Sequence, residues 1–509
     1  MNPENVPAMN WSPVDAIAAD HLKVAARVIP GSVRFWLFFI GCGMACALLV
    51  VKPLWGLVTI GGLIGFYGAL YLFVTTLSGK IEPAILTWVL IFPLGYYFLS
   101  FPREQSIITL DRVLAIALLL AISLASRDKL ESLPRALRRC AIAWIAFLVF
   151  AAASLMYASN LLVSSRLFVD SFCLPAILGW VVVRHFRLRE NAATLHLVTS
   201  LMALYVAGIG VAEVVLRQDL LPLPGGEITF AGALPRPNGP FWSNDSFALI
   251  GLVTFFLLLF LWSWLGESIS SGQRIVHYSA LTASLAMALM PMFRSVAISL
   301  MVILLIAALS ARRPSGRLAG FALLLACILA VSLVSILAPD TYADRSRPDN
   351  VYGRLAEQMQ TWQLFSSHPL LGVGLGRFTE TVNGDTRYLA FYGGVRSVDS
   401  PHNILGGILA ETGILGFVPY VAAQITLFLA FWRLRRKPEQ HARLAWIYFL
   451  YIFLGYWING MTLESGYNSD LNFWFIFSIA VLYKGSMTEE AASAELVETG
   501  IETLPEYQI

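Results

Sequence analysis

Apolar stretches of 18 or more residues recur along almost the whole of this 509-residue chain, each long enough to cross a hydrocarbon core of about 30 Å as a helix. In lipid the backbone has to satisfy its own hydrogen bonds, so such a chain folds as a set of membrane-spanning helices. Only 13% of its residues are charged, against roughly 25% in soluble domains. The sequence therefore predicts an all-α, polytopic integral membrane protein with about fourteen crossings.

The net charge of +3 does not point to nucleic acid, because surplus Lys and Arg in such a chain anchor cytoplasmic loops. Basic clusters fall at Arg127–Arg139, Arg184–Arg189, Arg312–Arg317 and Arg433–Lys437. Their alternation with the apolar runs puts both termini in the cytoplasm. Five cysteines (Cys42, Cys46, Cys140, Cys173, Cys327) lie in or beside apolar runs without metal-ligand spacing, which predicts neither disulfide nor structural zinc. The polar, mixed-charge start does not read as a removable signal peptide.

The stretch 279–310 would make one helix of about 48 Å, too long for an ordinary span. Arginines flank it on both sides, so the chain is expected to turn at Pro291–Arg294 and to present Arg294 on the outer face. The organisation that follows is a cytoplasmic segment 1–33, eleven helices within 34–338, and a large periplasmic loop 339–401. A re-entrant segment and three more helices occupy 402–484, before an acidic cytoplasmic tail 485–509. The loop is far longer than an ordinary connection, which marks it as a functional element.

That loop carries Arg345, Arg347, Arg354, Arg377, Arg387 and Arg396 and no lysine. Guanidinium forks bind phosphate oxygens in pairs and keep their charge, so an arginine-only loop suits a phosphate or diphosphate ligand. Acids in the same loop make local ion pairs the alternative for most of the six. Val351–Phe365 spaces Leu355, Met359 and Trp362 as one face of a helix lying on or near the membrane. Beyond His368-Pro369, Gly372, Gly374 and Gly376 let backbone approach either a ligand or a neighbouring helix. His402 stands where the loop re-enters the membrane, with Asn403 beside it and Glu411 nine residues on in apolar surroundings. A histidine there is either a hydrogen-bonded structural residue or a base for an attacking hydroxyl. The buried position of Glu411 demands a partner or a water-filled cavity.

These residues form patterns: GR-x7-W (Gly353, Arg354, Trp362), HPLLGVGLGRF (His368–Phe378), HN-x9-GxxG (His402, Asn403, Gly413, Gly416), RPNGPFWSND (Arg236–Asp245) and Phe293-Arg294-Ser295. Together, across 230–435, they resemble the O-antigen ligase and polymerase family of bacterial glycan assembly. The last pattern departs from the ligases at Phe417, where they tend to have Thr or Val. The resemblance implies a bacterial inner-membrane enzyme that moves a glycan from undecaprenyl diphosphate to an acceptor hydroxyl at the periplasmic face, inverting and metal-independent, with no cofactor. It implies His402, Arg354 and Arg294 as catalytic residues and Arg236, Arg377, Asn403 and Glu411 as substrate-binding ones. No DxD-like acidic motif stands in the outer loops, where Asn383-Gly384-Asp385 is a turn signal. The extra N-terminal spans and acidic tail favour a polymerase of exopolysaccharide or O-antigen over a ligase acting on the lipid A core. A transporter or flippase of lipid-linked sugars is the reading from another class. It would want charges along a path at membrane depth, where Asp111 and Arg112 are the main candidates.

Overall fold

The computed structural model describes residues 79–498 with short gaps at 104–105, 126–132, 224–228, 232–233, 266–269, 312, 338, 340–342, 344–346, 397–400 and 464, together with Leu72, Thr75 and Thr76. The N-terminal segment and first two expected spans, Cys42, Cys46, Arg312, Arg345 and the end of the acidic tail lie outside the described residues.

The chain is mostly helical and divides into two units, Met1–Ile85 with Ile116–Leu130, and Leu86–Ala115 with Glu131–Ile509. In the second unit the helices follow the apolar runs: Arg135–Ser154, Leu161–His185, Leu188–Leu216, Asn244–Trp262, Ser271–Leu289, Arg294–Ser310, Pro314–Leu337, Ile404–Leu434, Gln440–Gly460 and Ser469–Glu498. Among the described residues six helices are long and apolar enough to cross a membrane, and Glu82–Phe98 and Arg294–Ser310 are shorter apolar ones. Asn244–Trp262 is the central helix, with 89% of its most apolar window buried, whereas Pro314–Leu333 buries 6% and turns its apolar side chains outward. Its start is capped by Ser243, whose hydroxyl accepts from the Ser246 amide.

Cross-links between helices sort the loops into two ends. His196 meets His277, His441 meets the Ser263 carbonyl and Lys484 meets the Arg184 carbonyl at one end. Glu213 accepts from the Gly239 amide, Asn459 donates to Ser299 and Ser171 donates to the Tyr467 carbonyl at the other. Of the arginine clusters, the described Arg184 and Arg433 belong to the first end. Arg135 and Arg138 occupy the first turn of a helix, where the dipole disfavours cations by about 0.3–1 kcal/mol each.

The expected turn inside 279–310 is present. One helix stops at Leu289, the next begins at Arg294, and Met292 between them has φ 57°. The stretch expected as re-entrant forms the first part of a 31-residue helix, Ile404–Leu434, broken at Gly413. Gly413 adopts φ 62°, ψ −167°, a region open essentially only to glycine, so the helix is interrupted there and resumes towards Arg433.

Candidate active site

The end opposite the arginine clusters gathers the residues singled out by the sequence. Between Pro314–Leu337 and Ile404–Leu434 the outer segment forms a helix, Asp349–Ser367, then a glycine-rich loop, a short helix, Phe378–Gly384, and a hairpin pairing Phe391 with Arg396. The Asp349–Ser367 helix buries Gly353, Ala356, Glu357, Gln360, Thr361 and Leu364 and leaves Val351, Met359 and Trp362 exposed. The apolar spacing legible in the sequence therefore marks the uncovered face. The covered face, rich in polar groups, packs on the start of the Ile404 helix.

Packing is closest where Thr361 meets Gly406, whose missing Cβ would stand 3.1 Å from the threonine methyl. One turn earlier on each helix, Glu357 meets His402. The His402 amide donates to Glu357 Oε1, and its ring Nδ1 lies 3.7 Å from Oε2. Glu357 is 2% exposed, while the His402 side chain keeps a quarter of its surface open. Imidazole is thus held with Nδ1 towards a buried carboxylate. Asn403 caps the same helix, its Oδ1 accepting from the Leu405 and Gly406 amides at 3.0 and 3.2 Å. The His-Asn pair combines a titratable side chain with the cap that fixes its backbone.

Arg354 lies on the Glu357 side of its helix and is partly buried. Burial pushes its guanidinium below its ordinary value, the Glu357 carboxylate pulls it back up, and the nearby Arg294 charge lowers it again. Arginine stays protonated regardless, so the pair is a standing excess of positive charge that a bound anion relieves. Arg294 is exposed at the first position of its helix. Arg236 braces the preceding turn: its Nε donates to the Pro291 carbonyl at 3.0 Å and its guanidinium lies 4.3 Å over the Phe293 ring.

Arg377 and Glu411 lie apart from this group, in a seam where the glycine loop fills the break at Gly413. Amides of Val373 and Gly374 donate to the Ala410 and Glu411 carbonyls, and those of Ile414 and Leu415 donate to Pro369 and Leu370. A Cβ at Gly372 would lie 2.3 Å from Glu411 carbonyl carbon, and one at Gly413 2.3 Å from the Leu370 oxygen. Glu411 Oε1 accepts from the Phe378 amide at 3.0 Å, and Arg377 donates to the Tyr157 carbonyl beside Glu380. Arg387 pairs with Asp385 and Arg396 reaches Asn383, so these loop arginines have local partners. Among the described residues no group of three or more His, Cys, Asp or Glu is placed to hold a metal ion.

Residues 278–421 match the family model described as O-Antigen ligase. Over that segment the chain is similar to the O-antigen ligase family. No curated protein matches the chain. The matched segment runs from the turn at Arg294 through Arg354 and the glycine seam to His402 and Gly416, so the resemblance read from the motifs holds across the site. Members of this family are membrane enzymes that process glycans, and the chain, like them, is a multi-pass membrane protein. The sequence reading of the matched segment missed Glu357. Its signal was the spacing from Arg354, three residues and therefore one helical face, but its partner His402 is 45 residues away.

Proposed function

We propose that the chain moves a glycan from an undecaprenyl diphosphate carrier to an acceptor sugar hydroxyl at the periplasmic face of the bacterial inner membrane, polymerising repeat units of an exopolysaccharide or O-antigen. The observation that carries this reading is one cluster, inside the matched segment, of two arginines and a carboxylate-oriented histidine. The acceptor oxygen attacks the anomeric carbon and forms the new glycosidic bond with inversion. The bond from that carbon to the carrier phosphate breaks, and its electron pair leaves with undecaprenyl diphosphate. His402 Nε2 takes the hydroxyl proton, with Glu357 holding the ring and stabilising the imidazolium. Arg294 and Arg354 offset the negative charge that grows on the leaving diphosphate. Arg236, Arg377, Asn403 and Glu411 serve the substrate through the frame they hold.

The test is the purified chain with its lipid-linked repeat unit and no ion gradient. A ladder of lengthening lipid-linked products supports polymerisation. Product formed only when lipid A core is added makes the chain a ligase, and no transfer with either acceptor overturns the reading.

A further inference from the structure

A second cavity, of about 350 Å³, opens at the same end of the bundle, lined wholly by residues outside the matched segment. Tyr96, Trp242, Tyr467, Asn468, Asp170 and Asp470 line it. Rings and oxygen acceptors alternate around it, and Trp242 keeps 43% of its surface exposed with Tyr96 packed edge-on against it at 5.5 Å. The polar groups are fixed in place. Arg112 clamps Asp170 with two hydrogen bonds of 2.8 and 2.7 Å, Trp88 donates to Asp111 at 2.6 Å, and Asn468 donates to the buried Asp245 at 3.0 Å. Asp111, Asp170 and Asp470 share the wall with Arg166, and Arg112 pairs with Asp170, so its charges are largely balanced, unlike those at the Arg294–Arg354 pair. It suits a neutral polyol whose hydroxyls donate to fixed oxygens and whose C–H faces lie on aromatic rings.

The cavity also shares walls with the catalytic end. The Tyr467 hydroxyl sits against Gly407, where a Cβ would approach it to 2.6 Å, one turn beyond His402. The segment Arg236–Asp245 divides between the two sites, Arg236 bracing the turn that carries Arg294 and Trp242 facing the cavity. A five-residue π-helical bulge, Val169–Cys173, turns Asp170 and Ser171 to the cavity wall.

We propose that this cavity binds the acceptor glycan, holding sugars next to the attacking hydroxyl while the diphosphate occupies the arginine side. The proposal rests on the glycan-transfer reading above, and its test separates the two. The full chain in lipid nanodiscs is titrated with oligosaccharides of one to three repeat units, released by mild acid from the surface polysaccharide of cells that express it. Transfer is measured in parallel as the acceptor concentration is varied. Wild type, His402→Gln and Trp242→Phe are expected to bind alike. Trp242→Ala and Asp470→Asn should each weaken binding about tenfold, the worth of one lost contact, and raise the acceptor KM with kcat near wild type. Wild-type transfer with unaltered binding and KM in both variants overturns the cavity assignment and leaves the transfer reading standing. Binding lost in both variants, with no transfer by wild type from lipid-linked donor, supports the cavity and overturns the transfer reading.

Discussion

Two polar seams meet the same broken helix, and they differ in where their partners come from. In the glycine seam the groups freed by the break at Gly413 are taken up by residues 369–374, and Glu411 is spent on the amide that opens the Phe378 helix. At the other seam, on the N-terminal side of the same helix, Glu357 meets His402, and Arg354 beside Glu357 feels the charge of Arg294. The first closes on itself and sets geometry. The second keeps a titratable imidazole a quarter open and a guanidinium, Arg294, exposed, which is the condition for binding and proton transfer. Intramembrane polarity is therefore sorted by whether the protein itself completes it.

The largest effect is expected where the first seam is forced open. Gly413→Ala places a side chain in backbone geometry costing about 1–3 kcal/mol, with a Cβ overlap worth about as much again, against a total stability of order 5–15 kcal/mol. The expected outcome is loss of monodisperse protein in detergent and of all transfer. A well-folded Gly413→Ala protein would show that the seam is not the frame.

Next come the cations of the second seam. Arg294→Lys and Arg354→Lys keep the charge and lose the fork, and each should cost about 10²–10³ in kcat with unchanged thermal unfolding. Full activity in both would remove the arginines from the site and reduce the contrast to one of packing.

Smaller and more diagnostic is Glu357→Gln, expected to lower kcat roughly tenfold to a hundredfold. A carboxylate beside imidazole favours its protonated form, so wild type needs a higher pH to free the base. Removing the charge should shift the acid limb of the rate profile to lower pH. A reduced rate with an unmoved limb would make Glu357 a packing residue like Glu411.

Much of this frame is legible in the sequence. Hydropathy places the helices, and the impossibility of a 48 Å span, at about 1.5 Å per residue, places the turn at Pro291–Arg294. Asn403 ahead of an apolar run carries the signal of a helix cap, a role that its position beside His402 obscures. Periodicity separates the two faces of Asp349–Ser367 but does not tell which is covered, because an apolar face beside lipid needs no protein partner. Gly372 and Gly413 are indistinguishable in sequence from ligand-approach glycines. Only their neighbours, Ala410 and Glu411 against Gly372 and Leu370 and Leu371 against Gly413, show that backbone meets backbone there. Glu357 escapes for the same reason, since its meaning comes from a residue on another helix.

The account turns on His402 as the base, and the rate of transfer across pH tests that most directly. His402→Ala should lose about 10²–10⁴ in kcat while still binding lipid-linked donor. His402→Gln, which accepts a hydrogen bond but holds no proton, should lose the acid limb that wild type shows above the reference histidine value of about 6.5. A wild-type rate in His402→Ala, or the same acid limb in His402→Gln, would contradict the account and make the histidine part of the frame.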